Sequence, residues 1–150
     1  MEIVTRLLQH MSRTLQAVTA ELDGKAAKNG LDGTGLLYVV RVCEAPGLSQ
    51  DRLAEQLGVD RSTVTRRLTE LERLGYIERS RNAADRRQLL VRPTDKAFEL
   101  LPWAVELLDD VQAGLTRGMS REEIELLEEL IGRTAYNAAR MRAAHDYDEA

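Results

Sequence analysis

From Gln50 to Glu70 the chain reads QDRLAEQLGVDRSTVTRRLTE, and the spacing inside this stretch decides the fold. Leu53, Ala54 and Leu57 fall on one face of a short helix, and Val59, Val64 and Leu68 return from a second one. Ser49 and Asp60 are N-cap residues ahead of the two helices, Gly58 permits the bend between them, and Gly75 ends the second. The small Ala54 lets the pair approach closely. Two helices joined in this way are a helix-turn-helix, whose second helix enters the DNA major groove. Other compact helical pairs share part of the spacing, so its meaning depends on what surrounds it.

A hairpin comes next in the chain. Ser80 to Asp95 reads SRNAADRRQLLVRPTD, with turn-forming residues at Ser80, Asn82 and Asp85 and an alternating apolar run in QLLVR. With YIERS before it, this predicts two short strands around an exposed tip that carries Asp85, Arg86 and Arg87. A hairpin directly after a recognition helix is a wing. Its tip can reach the neighbouring minor groove, where arginine is favoured over narrow A·T tracts. Asp85 is expected to hold the Arg87 guanidinium by a charge-assisted bond.

At about 100° per residue, Val64, Leu68 and Leu71 facing inward leave Ser62, Thr65, Arg66 and Thr69 facing outward. These four suit base edges, Arg66 most strongly through guanine. Arg61, Arg67 and Arg73 suit phosphates, as do the first N–H groups of the helix.

The net charge of −4 hides an uneven distribution. Nine arginines stand against four acids between Arg61 and Arg92, and the rest of the chain is acidic. A basic segment between acidic flanks is the footprint of a polyanion-binding surface. The chain is 43% hydrophobic and 31% charged, which excludes a disordered composition. No apolar run is long enough to span a bilayer, and the N-terminus lacks the order of a secretion signal. One cysteine, Cys43, excludes an intramolecular disulfide and fits a reducing cytoplasm.

Outside this centre the pattern is helical. Ile3, Leu7, Leu8, Met11, Leu15, Val18 and Leu22 mark an amphipathic helix from about residue 3 to 28, and a short helix runs from about Leu36 to Cys43. Thr94 can cap a helix from Asp95 to about Leu115, which Pro102 should kink or start. Ser120 and Glu123 form a capping box before a last helix with Ile124, Leu127, Leu130, Ile131, Thr134, Ala138 and Met141 on one face. The outer helices are too few to bury their own stripes, so a homodimer is expected. The fold class is mainly α: a winged helix-turn-helix at residues 31–94, with residues 1–30 and 95–150 as a helical dimerisation region.

The segment LAEQLGVDRSTVTRRLTELERLGYIERSRNAADRRQLLVRPT, Leu53 to Thr94, resembles the winged helix of the MarR family (multiple antibiotic resistance regulators). It carries that family's D-x-R wing signature as Asp85-Arg86-Arg87. The resemblance implies a homodimeric, cytoplasmic transcription regulator, usually a repressor, on a near-palindromic double-stranded operator. It also implies release by a small aromatic or phenolic ligand or by oxidation, with a pocket between the first and fifth helices and the winged domain. Met11, Tyr38, Phe98 and Trp103 are the candidate lining. Two departures, Pro93 before Thr94 and Ala97 in place of a glycine, affect the wing-to-helix junction.

No phosphate-binding loop, nucleophile elbow or metal-ligand spacing is present, so neither an enzyme nor a cofactor is expected. Cys43 reads as a buried small hydrophobe, and His10 and His145 stand too far apart in sequence to suggest a metal site. The alternative function class is an interaction module that keeps the winged fold without binding DNA itself.

Overall fold

The computed structural model describes residues 2–148, with side chains over residues 4–141. It divides into two compact units, Met1–Leu108 and Asp109–Ala150. In chain order the elements are α1 (Glu2–Ala26), a 3₁₀ turn (Ala27–Asn29), α2 (Gly33–Glu44), β1 (Leu48–Ser49), α3 (Gln50–Leu57), α4 (Arg61–Arg73), β2 (Ile77–Arg81), β3 (Leu89–Pro93), α5 (Asp95–Leu115) and α6 (Arg121–Asp148).

The core of the first unit gathers Leu36, Val39 and Val42 of α2, Leu53 of α3, Val64, Leu68 and Leu71 of α4, Ile77 and Val91, all essentially inaccessible to water. The apolar spacing of Leu53, Ala54, Val64 and Leu68 thus does what it predicts, while Leu57 and Val59 are half-buried at the turn. Gly58 ends α3 at φ +64°, a left-handed conformation that suits a residue without Cβ. α1 packs on α2 through its C-terminal part, with Leu22 and Ala26 buried. The contact is close: a Cβ at Gly33 would stand 2.6 Å from that of Leu22.

The sheet has three strands in the order β1-β3-β2, all antiparallel. β1 is absent from the sequence reading because two residues carry no periodicity. It pairs Leu48 with Val91 and Ser49 with Leu90, which anchors the wing to the start of α3.

The two departures at the wing-to-helix junction are absorbed. Pro93 ends β3 opposite Ile77, and the next N–H, of Thr94, donates to the Tyr76 carbonyl at 3.0 Å. The Thr94 hydroxyl donates to the Gly75 carbonyl at 2.7 Å. Ala97 is fully buried, so the site holds a methyl group. Pro102 lies well inside α5 rather than in its first turn, on an exposed face where water can reach the carbonyl that loses its helical donor. Before α6 the capping box closes both ways: Glu123 Oε2 accepts from the Ser120 N–H at 2.7 Å, and Ser120 Oγ from the Glu123 N–H at 3.2 Å.

Candidate nucleic-acid interface

α4 is held at three points. Asp60 caps it: Oδ1 accepts from the Thr63 N–H at 2.8 Å and from Ser62 Oγ at 2.6 Å, and Oδ2 accepts from Thr63 Oγ1 at 2.9 Å. Those bonds, from Ser62 first and then Thr63, hold the Asp60 carboxyl far below the usual carboxylate range. A pKa depressed by folding contributes stability above the unfolded value of about 4 and loses it as pH falls through the lower folded value. Urea midpoints measured across the acid range should therefore fall less steeply in Asp60→Asn than in the natural chain. Parallel acid limbs would show that the cap carries no linked proton.

Arg67 is the second hold. Its Nη1 donates to Asp32 Oδ2 at 2.7 Å and lies 3.4 Å from Glu70 Oε2. The other Asp32 oxygen caps α2 by accepting from the Gly35 N–H at 2.6 Å. Burial pulls the Arg67 pKa down, and the hydrogen bonds and charges of Asp32 and Glu70 together raise it above its ordinary value. The sequence reading makes Arg67 a phosphate ligand; in the structure its guanidinium is engaged by Asp32. Arg67 is one residue before Leu68, on the edge of the inward face, where it ties α4 to α2.

The third hold is Arg79 of β2. It donates to Glu72 at 2.8 Å through Nη2 and to Thr69 Oγ1 at 3.1 Å through the same nitrogen. The Glu72 carboxyl is held below its usual range by its bonds from Arg79.

Ser62, Thr65, Arg66 and Thr69 are all exposed on the side of α4 opposite Val64, Leu68 and Leu71, as the rotation predicts. Among the described residues, Arg66 and Arg73 have no hydrogen bond or ion pair, and both are exposed. Arg61 is exposed and pairs with Asp51 at 2.5 Å. Such an exposed pair is worth about 0–1 kcal/mol and yields readily to a phosphate.

The wing tip is held by its own short polar residues. Asn82 Oδ1 accepts from the Ala84 N–H at 3.0 Å, and Asp85 Oδ1 from the Arg87 N–H at 3.1 Å. Asp85 therefore fixes the backbone of Arg87; the expected bond to its guanidinium is not made, because an Asx turn closes first over two residues. Arg81 Nη1 donates to the Arg86 carbonyl at 3.0 Å. The side chains of Arg86 and Arg87 are exposed and free of intrachain ion pairs among the described residues. A fixed backbone carrying two unengaged guanidinium groups is suited to meet an anion.

A cleft of about 200 Å³ separates α4 from the wing, lined by Gln50, Asp51, Arg61, Thr65, Arg87 and Leu89. Gln50 is the residue that sequence reasoning missed. Its Nε2 donates to Thr65 Oγ1 at 2.6 Å from the first position of α3, and nothing in a lone glutamine at a helix start announces that reach.

The four candidate effector residues are placed differently from one another. Tyr38 is buried in the core, and burial raises its hydroxyl pKa. Met11 and Phe98 are exposed. Trp103 alone of the four lines a cavity of about 320 Å³, with Lys28, Asn29, Tyr76, Lys96, Glu99 and Leu100. Lys28 Nζ lies 4.3 Å from the Trp103 ring centre and Lys96 Nζ 4.3 Å from that of Tyr76. Cys43 is buried and free, with its thiol pKa raised by burial. The His145 side chain lies outside the described residues. No helix of the described residues is long and apolar enough to cross a membrane.

Comparison with known proteins gives the same architecture. Residues 34–89 match the MarR family. Among solved structures, the transcriptional regulator SlyA is 28% identical over 89% of this chain and 94% of its own, with a TM-score of 0.83. MarR is 27% identical over 91% of this chain and 93% of its own, with a TM-score of 0.74. A Listeria monocytogenes protein assigned to the MarR family of transcriptional regulators, crystallised with a 26-mer DNA, is 26% identical over 89% of each chain, with a TM-score of 0.83. Residues 34–89 thus form a winged helix of the MarR type, and the chain, with its three-stranded wing region and long flanking helices, has the fold of the MarR-family transcription regulators.

Proposed function

We propose that the protein is a homodimer that represses transcription by binding a near-palindromic operator, α4 lying in the major groove and the wing tip over the adjacent minor groove. The observation that carries this reading is the state of the arginines. Arg66 on the outer face of α4 and Arg86 and Arg87 at the wing tip are exposed and unpaired among the described residues, whereas Arg67 and Arg79 are spent on holding the helix. In this reading Ser62, Thr65, Arg66 and Thr69 meet base edges, and Arg61, Arg73, Arg86 and Arg87 meet the backbone and minor groove.

Unburied apolar residues support the dimer. Val4, Leu7, Leu8, Met11 and Leu15 are exposed along α1, and Leu126, Leu127, Leu130 and Ile131 along α6. A second copy is the simplest cover for such stripes. The Trp103 cavity, beside Tyr76 at the foot of the wing, is the candidate site for a releasing ligand.

Selection of binding sites from random duplex DNA tests the reading. An inverted repeat with half-sites about one helical turn apart is expected, with affinity falling steeply with salt and the free protein sedimenting as a dimer. A folded dimer that enriches no sequence would favour the interaction-module alternative.

A further inference from the structure

Each hydroxyl on the outer face of α4 already has a partner, and a hydroxyl has one proton to donate and two lone pairs to accept with. Ser62 spends its proton on Asp60 Oδ1, at 2.6 Å, and keeps only acceptor capacity toward DNA. Thr69 spends its proton on the Thr65 carbonyl, at 2.8 Å, and one lone pair on Arg79, at 3.1 Å, so it too can only accept. Thr65 differs. It accepts from Gln50 Nε2 at 2.6 Å, and among the described residues its own proton has no acceptor.

We infer that Gln50, which lies outside the recognition helix, is a specificity-determining positioning residue: by donating to Thr65 Oγ1 it keeps the Thr65 hydroxyl a donor toward the base edge. The inference rests on the DNA-binding reading above and refines it. A donor at Thr65 seeks guanine O6 or N7, thymine O4 or adenine N7, whereas an acceptor there would seek adenine N6 or cytosine N4. The recognition face then has a defined polarity, with donors at Arg66 and Thr65 and acceptors at Ser62 and Thr69.

Two observations describe the surroundings of the carboxamide. Gln50 is half-buried, and its Oε1 is fully inaccessible with no hydrogen-bond partner. A buried oxygen left unpaired is costly in a folded protein, so the orientation is held by the bond from Nε2 to Thr65 Oγ1 and not by the oxygen. Gln50 also lines the cleft that holds Arg61, Arg87 and Asp51.

The test is site selection with the natural protein, Thr65→Val, Gln50→Glu and Gln50→Met, each run beside a thermal melt. Thr65→Val identifies the base pair that Thr65 reads as the position whose preference flattens. Gln50→Glu presents only acceptors, so the Thr65 proton turns onto the carboxylate. The preferred base at that same pair should move to one offering a donor edge, in both half-sites. Gln50→Met should weaken the natural preference there about tenfold, with the other positions of the site retained, and Gln50→Met combined with Thr65→Val should match Thr65→Val alone. If Gln50→Glu abolishes binding through its charge near Arg87, the Met variant and the double variant decide. An unchanged preference at the Thr65 position in folded Gln50→Met overturns the inference and leaves the DNA-binding reading standing. No enriched sequence with the natural protein overturns both.

Discussion

Replacing Arg66 by alanine should cost about 1–3 kcal/mol of discrimination per half-site, and twice that on a two-fold operator. Two features make this the largest functional effect expected from one side chain on α4. The Arg66 guanidinium has no partner to lose among the described residues, so its removal leaves no buried group unpaired and the fold is spared. Its planar fork can make two bonds to one guanine, which neither threonine nor serine can do. The loss should appear as a narrowed ratio between operator and random DNA. Arg87→Ala provides the contrast, because a wing-tip arginine in the minor groove should weaken operator and random DNA more evenly. Titrating both duplexes at one salt concentration separates the two. An equal loss on both duplexes for Arg66→Ala would remove it from the base-reading set.

Replacing Leu68 by alanine should lower the unfolding free energy by about 2–5 kcal/mol, the range for a large-to-small change in a packed core. Leu68 is completely buried. It lies on the inner face of α4, the helix that packs on α2, α3 and β2. The cavity would open directly behind Arg66 and Thr65. Operator affinity should therefore fall as well, and saturating operator should restore part of the lost melting temperature by mass action. Urea denaturation with and without selected duplex measures both parts. A loss under about 1 kcal/mol would mean that α2 and α3 collapse into the space, contrary to a core packed at interior density.

Much of the fold was legible because its determinants are local. Ser49 and Asp60 cap α3 and α4 where their side chains imply, and Gly58 and Gly75 adopt the positive φ that the two turns require. The reciprocal bonds of Ser120 and Glu123 span three residues and could be read directly. The exposed set on α4 followed from helical geometry once Val64 and Leu68 were assigned to the core.

The destinations of long side chains were not legible. Arg66 and Arg67 are neighbours of one type, and rotation puts Arg66 outward and Arg67 at the edge of the inward face without saying what Arg67 meets there. Asp32, 35 residues away in the chain, claims Arg67. In the same way, the expected bond from Asp85 to the Arg87 guanidinium yields to the backbone N–H two residues on, which is closer and costs less side-chain entropy.

The sequence by itself determined the helix-turn-helix, the wing, the capping of α3, α4 and α6 and the basic stretch from Arg61 to Arg92, all of which depend on residues within a few positions of each other. The tertiary structure decided which arginines are spent on the scaffold and which remain for a ligand. It also decided that β1 joins the wing to α3 and that Gln50 reaches Thr65 across the turn. The physical reason is range. Periodicity and capping are short-range properties of the backbone, whereas an ion pair or side-chain hydrogen bond between elements exists only after the core has set their separation to within a few tenths of an ångström.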